Sequence, residues 1–357
     1  SESRRNDKDG ITNVHHYYTK RNLAILSYIN DKIDLDSTKF LLTACLTMGT
    51  KMSRFGKRTG NLSGTLYIPS LIKELNMLEF IKRKLYGGKG IINPLNMIAD
   101  FSFGDVLIQT SSLTDISNIT KNSVDYIFTD PPFGANLNYS ELSFIWEAWL
   151  KIITNNKTEA VVNKSHSKGL VEYQSLMTEC FKEYYRILKP NRWMTVEFSN
   201  SKNSVWNAIQ ESLVRAGFII ADVRVLDKKQ GSFKQVNYSS AVKQDLVISA
   251  YKPGEEFVEN FIKKAGTEES VWDFIRQHLE KLPVVIERES YLERVAERDA
   301  HSLFDRMIAY HVVNGVAVPL DIQEFFKGLD ERFIKRDNIY FLKDQVNEYD
   351  NARIKSD

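Results

Sequence analysis

Cysteine is nearly absent from this chain: Cys45 and Cys180 are the only two in 357 residues. Two distant thiols exclude a disulfide framework and a four-thiolate zinc site, and so few suit a reducing compartment. With 8 prolines and 17 glycines, a collagen-like or low-complexity chain is excluded as well. No apolar run approaches the ~20 residues of a bilayer-spanning helix, and the polar opening SESRRNDKDG is no secretory signal. No membrane partner is expected, and a cytoplasmic location is. An excess of charge is also lacking: 48 Lys and Arg face 46 Asp and Glu, net +2. That balance alone implies no nucleic-acid partner, which would have to be argued from where the charges cluster. The 6 histidines show no metal-ligand spacing, and no G-x-S-x-G supports a Ser/His/Asp site.

What is present is a 43% hydrophobic chain, long enough for two or three domains. Residues 19–34 space Leu23, Leu26, Ile29 and Ile33 along one helical face with Thr19 at the cap position. Two further helices are expected at 36–52 and 70–85, separated by a Gly- and Ser-rich exposed loop over 53–70. Beyond residue 100, short apolar runs at 102–108, 124–130, 193–199, 217–227 and 245–252 read as buried strands. Between them, 140–153, 171–188 and 204–217 read as helices. This alternation predicts an α/β fold with a mostly parallel sheet. The linker 228–244 is too short for a crossover helix, so the last two strands should form an antiparallel hairpin. After Pro253-Gly254 come charged helices and a short hairpin-like piece, consistent with a winged-helix-like module. The expected division is a helical segment at 1–100, a catalytic sheet at 101–253 and a C-terminal domain at 254–357.

The most informative string is VDYIFTDPPFG, Val124 to Gly134. A buried strand ends in Asp130-Pro131-Pro132-Phe133, where ligands of open α/β sheets bind. Neither proline has an N–H, and each pushes its predecessor to extended geometry. The turn is therefore stiff and presents carbonyl oxygens, one carboxylate and an aromatic ring. A planar base bearing an amino group could stack on Phe133 and donate its two hydrogens to Asp130 and the Pro131 carbonyl. Acceptors placed this way favour the pyramidal, nucleophilic form of the amine.

Asp-Pro-Pro-Phe after a hydrophobic strand resembles the motif of S-adenosylmethionine-dependent DNA amino-methyltransferases, which modify adenine N6 or cytosine N4. The order from Gly104-Asp105 through this strand to WMTVEFS and the terminal hairpin is that family's order. The segments NLNYSELSFIWEAWL and VKQDLVISAYKP look like those of the adenine-specific methylases. The resemblance covers roughly residues 15–253. It implies a Rossmann-like methyltransferase sheet and catalytic roles for Asp130, Pro131, Pro132 and Phe133. It further implies that Asp105 accepts from the cofactor's adenine amine, that Val106 lines that adenine, and that Thr19, with Lys20 and Arg21, sits near the methionine end. Asn138 and Tyr139 would shape the target-base pocket. The expected activity is site-specific transfer to adenine N6, in restriction–modification or phage defence. Alternatives are a tRNA-guanine methyltransferase and a non-catalytic DNA-recognition subunit.

The family's Gly-rich loop after its first strand is missing. Gly87-Gly88-x-Gly90 follows a helix, and TMGTKM lies inside one. An upstream domain or a second subunit is expected to supply that loop. Double-stranded DNA is the expected partner. Its phosphates would meet Lys51, Arg54, Lys57 and Arg58, a cluster with no acid between Thr50 and Lys73, and the hairpin tip at Lys234.

Overall fold

The computed structural model describes residues 4–33, 36–56, 60–62, 64–98, 104–134, 137–163, 166–200, 202–226, 245–287 and 292–356. The chain divides into two compact units, one of residues 1–110 and 135–168, the other of residues 111–134 and 169–357. No helix among the described residues is long and apolar enough to cross a membrane.

The first unit is helical. Helix α1, Lys20–Lys32, begins where expected, with the Thr19 side chain accepting from the Asn22 N–H at 3.2 Å. Helix α2 is Asp36–Leu46 and α3 is Met77–Tyr86. The sequence placed the start of α3 at residue 70. It begins instead after Asn76, whose side chain takes the Leu78 and Glu79 N–H groups and fixes the boundary. A helix not anticipated, α4, covers Ile92–Ile98. Helix α5, Tyr139–Leu150, ends on Lys151 in the left-handed region at φ +57°. Leu26, Cys45, Leu46, Met77 and Ile145 are fully buried between these helices. Trp146 donates to the Thr43 carbonyl and Trp149 to the Tyr18 hydroxyl, both at 3.0 Å. The aromatic stripe of α5 is core.

The second unit holds the sheet. Its strands are β1 (Val124–Thr129), β2 (Leu188–Phe198), β3 (Ile219–Leu226) and β4 (Asp245–Tyr251), in the order β1-β2-β4-β3. β1 runs parallel to β2, with Tyr126 opposite Trp193 and Thr129 opposite Val196. The crossover is helix α6, Leu170–Ile187. β4 lies antiparallel between β2 and β3, which is the expected terminal hairpin. Helix α7, Asn203–Arg215, precedes β3.

The run at 102–108 departs from expectation. Its described part, 104–108, makes no strand, and Val106, Leu107 and Ile108 are 75, 77 and 88% exposed. The apolar run has no ladder partner among the described residues, and without one extended backbone leaves its side chains in water.

β3 and β4 share a core with the helices that follow. Ile219, Ala221 and Tyr251 pack with Phe261, Phe274, Ile275, Leu303 and Phe325. A two-strand hairpin, Ile334–Arg336 with Ile339–Phe341, stands where a wing was expected. Arg298 is fully buried beneath it and donates to the Leu279, Leu282, Pro283 and Tyr340 carbonyls at 2.8–3.0 Å. A helix over Ala300–Val313 starts where the Asp299 side chain accepts from the Ser302 N–H.

His278 is fully buried, 3.0 Å from the Tyr251 hydroxyl, and burial, with Arg306 and Arg298 nearby, pushes it from 6.5 down to about 3. Between those values the unfolded chain holds a proton that the folded chain refuses. Stability therefore falls as pH drops from 6.5 toward 3, by up to ~1.4 kcal/mol per pH unit. In urea titrations at pH 6.5 and 5, His278→Phe should lose about 2 kcal/mol less than the wild type does. Equal losses would mean that His278 is not buried in neutral form.

Candidate active site

The motif sits at the carboxyl end of β1. Asp130 is exposed, Pro131 and Gly134 are buried, and Pro132 and Phe133 are half-buried. Gly134 takes φ +75°, a conformation that glycine adopts at no steric cost, so the chain can turn away directly after the aromatic.

Three neighbouring elements hold the corner. The Tyr173 hydroxyl, from α6, donates to the Pro132 carbonyl at 2.6 Å. The Asn200 side-chain amide, two residues past β2, donates to the Phe133 carbonyl at 2.6 Å. Trp206, from α7, donates to the Asn200 carbonyl at 3.1 Å. The Phe133 ring meets Phe198 at 90°, 5.5 Å between centroids, and Phe198 meets Trp206 at 5.2 Å. Among the described residues none donates to the Pro131 carbonyl. The corner thus leaves the carbonyl of buried Pro131 without a donor among the described residues, between an exposed carboxylate and a half-buried aromatic ring. It lines neither the cleft beside α3 nor the one beside Arg294 and His301.

The sequence flagged Asp130 and Phe133 but not Tyr173 or Asn200. Asn200 carried a weak signal, a polar residue just past a strand at the ligand-binding edge. Tyr173 carried none, because its spacing on α6 is that of a core aromatic.

The remaining candidates lie in the first unit. Asp105 and Val106 stand in the exposed stretch without regular structure. Thr19 caps α1, and its hydroxyl also donates to Glu74; Arg21 pairs with the same carboxylate at 3.1 Å. Asn138 accepts from Asn163 at 3.0 Å, and Tyr139 opens α5 half-buried. The α5 N-terminus is capped from a distance, since Glu159 takes both the Ser140 N–H at 2.9 Å and its hydroxyl at 2.6 Å.

Two of the basic candidates are engaged internally. Lys51 donates to the His16 carbonyl at 2.9 Å and Arg54 to the Gly60 carbonyl at 3.2 Å. Lys57, Arg58 and Lys234 lie outside the described residues. The basic residues of the wing-like hairpin and the helix before it have partners nearby. Lys335 lies 3.6 Å from Asp330, Arg336 3.5 Å from Asp350, and Arg332 over the Trp272 ring. Residues 254–357 carry 15 Lys and Arg against 22 Asp and Glu, whereas residues 1–253 carry 33 against 24. Phosphates would be repelled by the former and attracted by the latter. No cluster of three or more His, Cys, Asp or Glu among the described residues could hold a metal ion.

Residues 124–301 match the family model of N6/N4 methyltransferases, described as DNA methylase. Over this segment the chain is matched to the DNA methylase family. The methylase segment begins at the first residue of β1 and takes in the whole Asp-Pro-Pro-Phe corner, Tyr173 and Asn200. No curated protein matches the chain significantly. Among solved structures, TTHA0409 of Thermus thermophilus, named as a candidate DNA modification methylase, aligns at 14% identity over 41% of this chain and 54% of that one, with a TM-score of 0.23. The same protein complexed with S-adenosyl-L-methionine aligns at 14% over 48 and 69%, TM-score 0.23. The [4+2]-cyclase SpnF aligns at 14% over 45 and 61%, TM-score 0.24. The chain spans little more than half the length of the first of these. The family assignment rests on the methylase segment and not on these alignments.

The contacts of Thr19 make a capping role testable. Thr19→Ala should lower stability by about 1 kcal/mol and Thr19→Ser by only a fraction of that. Thermal melting decides the point: no change on Thr19→Ala would remove the capping role.

Proposed function

We propose that the chain is the base-handling part of a DNA amino-methyltransferase that uses S-adenosylmethionine and acts on the exocyclic amine of a base turned out of the duplex, with adenine N6 the favoured target. A role in restriction–modification or phage defence fits such an enzyme. The observation that carries the reading is the stiff corner itself, with the Asp130 carboxylate, the unshared Pro131 carbonyl and the Phe133 ring within four consecutive residues at a strand's carboxyl end.

Turning a base out of the helix costs a few kcal/mol. Stacking on an aromatic ring, roughly 1–3 kcal/mol per base, offsets much of it. Asp130 and the Pro131 carbonyl then accept the two amine hydrogens and draw the nitrogen lone pair out of conjugation with the ring. The methyl donor, when bound, supplies an electrophilic methyl group on a sulfonium centre. The described residues do not by themselves make a cradle for that donor, because Gly87, Gly88 and Gly90 follow α3 and not a strand, and Asp105 stands exposed.

This gap favours a split site. β1 is a nearly continuous apolar strand of the kind buried on both faces in parallel sheets. Yet it ends the described sheet, pairs on one side only, and leaves Tyr126 54% and Phe128 60% exposed. A further strand, leading into a glycine-rich turn, would complete β1 and bring backbone N–H groups toward the donor's carboxylate. An upstream region of the protein or a second subunit is the source we infer. Calorimetry tests this: the chain alone should bind S-adenosylmethionine weakly or not at all, and tight binding by the chain alone would refute the split.

In methyl-transfer assays with duplex DNA, run in the presence of the region or subunit that completes the donor site, Asp130→Ala should lower the rate at least ~100-fold with folding unchanged. Phe133→Ala should cost roughly 5- to 150-fold, the rate equivalent of a lost stack, and Phe133→Trp much less. Equal rates in the three Phe133 forms would contradict stacking, and preference for tRNA over duplex DNA would move the substrate to RNA. Reversing charge at Lys57 and Arg58 should reduce the slope of log affinity against log salt by about 2. An unchanged slope would remove that loop from the DNA contact.

A further inference from the structure

The Asp-Pro-Pro-Phe corner has an accounting problem that the motif cannot solve alone. Two consecutive prolines contribute no N–H, so no ladder or turn hydrogen bond can be donated by the prolines themselves. The carbonyls remain as the groups through which neighbouring elements can hold the turn, those of half-buried Pro132 and Phe133 among them. The donors are two side chains from outside the motif, each almost wholly buried: Tyr173 at 0% exposure and Asn200 at 3%. Tyr173 takes the Pro132 carbonyl and Asn200 the Phe133 carbonyl, both at 2.6 Å.

Asn200 is itself fixed at its other ends. Its side-chain oxygen accepts from the Lys202 N–H at 2.8 Å, and its carbonyl accepts from Trp206 at 3.1 Å. The amide therefore cannot flip without losing a bond at each end, and the Phe198 ring walls the same corner. The two donors act on consecutive carbonyls and leave the first one, on Pro131, without a donor among the described residues.

We infer that Tyr173 and Asn200 are positioning residues of the base pocket, which occupy the Pro132 and Phe133 carbonyls so that the Pro131 carbonyl alone is presented to the target amine and the Phe133 ring is held at a fixed angle. The inference rests on the base-pocket reading above and adds to it a selection among three chemically similar acceptors. Neither residue touches the reacting atoms. Each sets where those atoms meet their partners, and a misplacement of about 1 Å can cost on the order of 100-fold in rate.

The test uses the chain carrying 4-fluorophenylalanine at position 133, read by fluorine NMR, with an adenine-containing single-stranded oligonucleotide as the probe. Tyr173→Phe removes one hydroxyl. Asn200→Asp removes one donor while keeping the oxygen that accepts from Lys202. Both variants should keep a melting temperature within a few degrees of wild type. Both should shift, broaden or split the residue 133 resonance and weaken oligonucleotide binding at least tenfold, whereas an exposed control, Lys327→Ala, should do neither. Wild-type resonances and affinities in both variants would overturn the proposal, as would losses that only track unfolding. If the wild-type resonance ignores the oligonucleotide, the base-pocket reading itself fails, whatever the variants do.

Discussion

A turn containing two successive prolines lacks two of its N–H groups, so more of its anchoring falls to its carbonyl oxygens, and that constraint organises the second unit around residues 130–134. The carbonyls of Pro132 and Phe133 require donors, and α6 and the segment after β2 deliver them as Tyr173 and Asn200. Trp206 of α7 then secures Asn200 from behind. The crossover helix, the central strand and the following helix thus meet at one backbone corner. The corner's stiffness is a property of all three elements as well as of its own four residues. A preorganised acceptor is effective because it needs no rearrangement when the amine changes shape.

The two halves of the same sheet end differently. Its antiparallel half, β2-β4-β3, is buried, with Ile248, Ala250 and Tyr251 fully enclosed. Its parallel half stops at β1, where aromatic side chains stand in water. An apolar edge strand of this kind is a pairing surface that folded proteins normally cover. The exposed run Val106-Leu107-Ile108 in the first unit has the same character. Charge divides the chain in a different way, with Asp330 and Asp350 of the acidic C-terminal helices pairing with Lys335 and Arg336 of the small hairpin, and Arg332 lying over the Trp272 ring.

Much of this was legible in the residues. The strand and turn at Val124–Gly134 could be read because apolar run, prolines and aromatic each constrain geometry locally. The hairpin of β3 and β4 could be read from linker length, and the cap at Thr19 from residue type. Readings failed where a partner decides the outcome. The 102–108 run has strand composition, but composition cannot supply a neighbouring strand. The start of α3 depends on which polar residue takes the cap, and that residue is Asn76, inside the 70–85 span that the apolar spacing suggested. Tyr173 stayed hidden because its hydroxyl meets a carbonyl 41 residues away in the chain, a contact that no local pattern encodes.

Which atom the corner serves is the central question. Nucleoside mass spectrometry of DNA from cells that lack other amino-methylation, expressing the intact protein or its Asp130→Ala variant, tests that most directly. N6-methyladenine is expected with the wild type and none with the variant. Equal modification in both, or no methylated amine in either, would contradict the base-handling role of the corner.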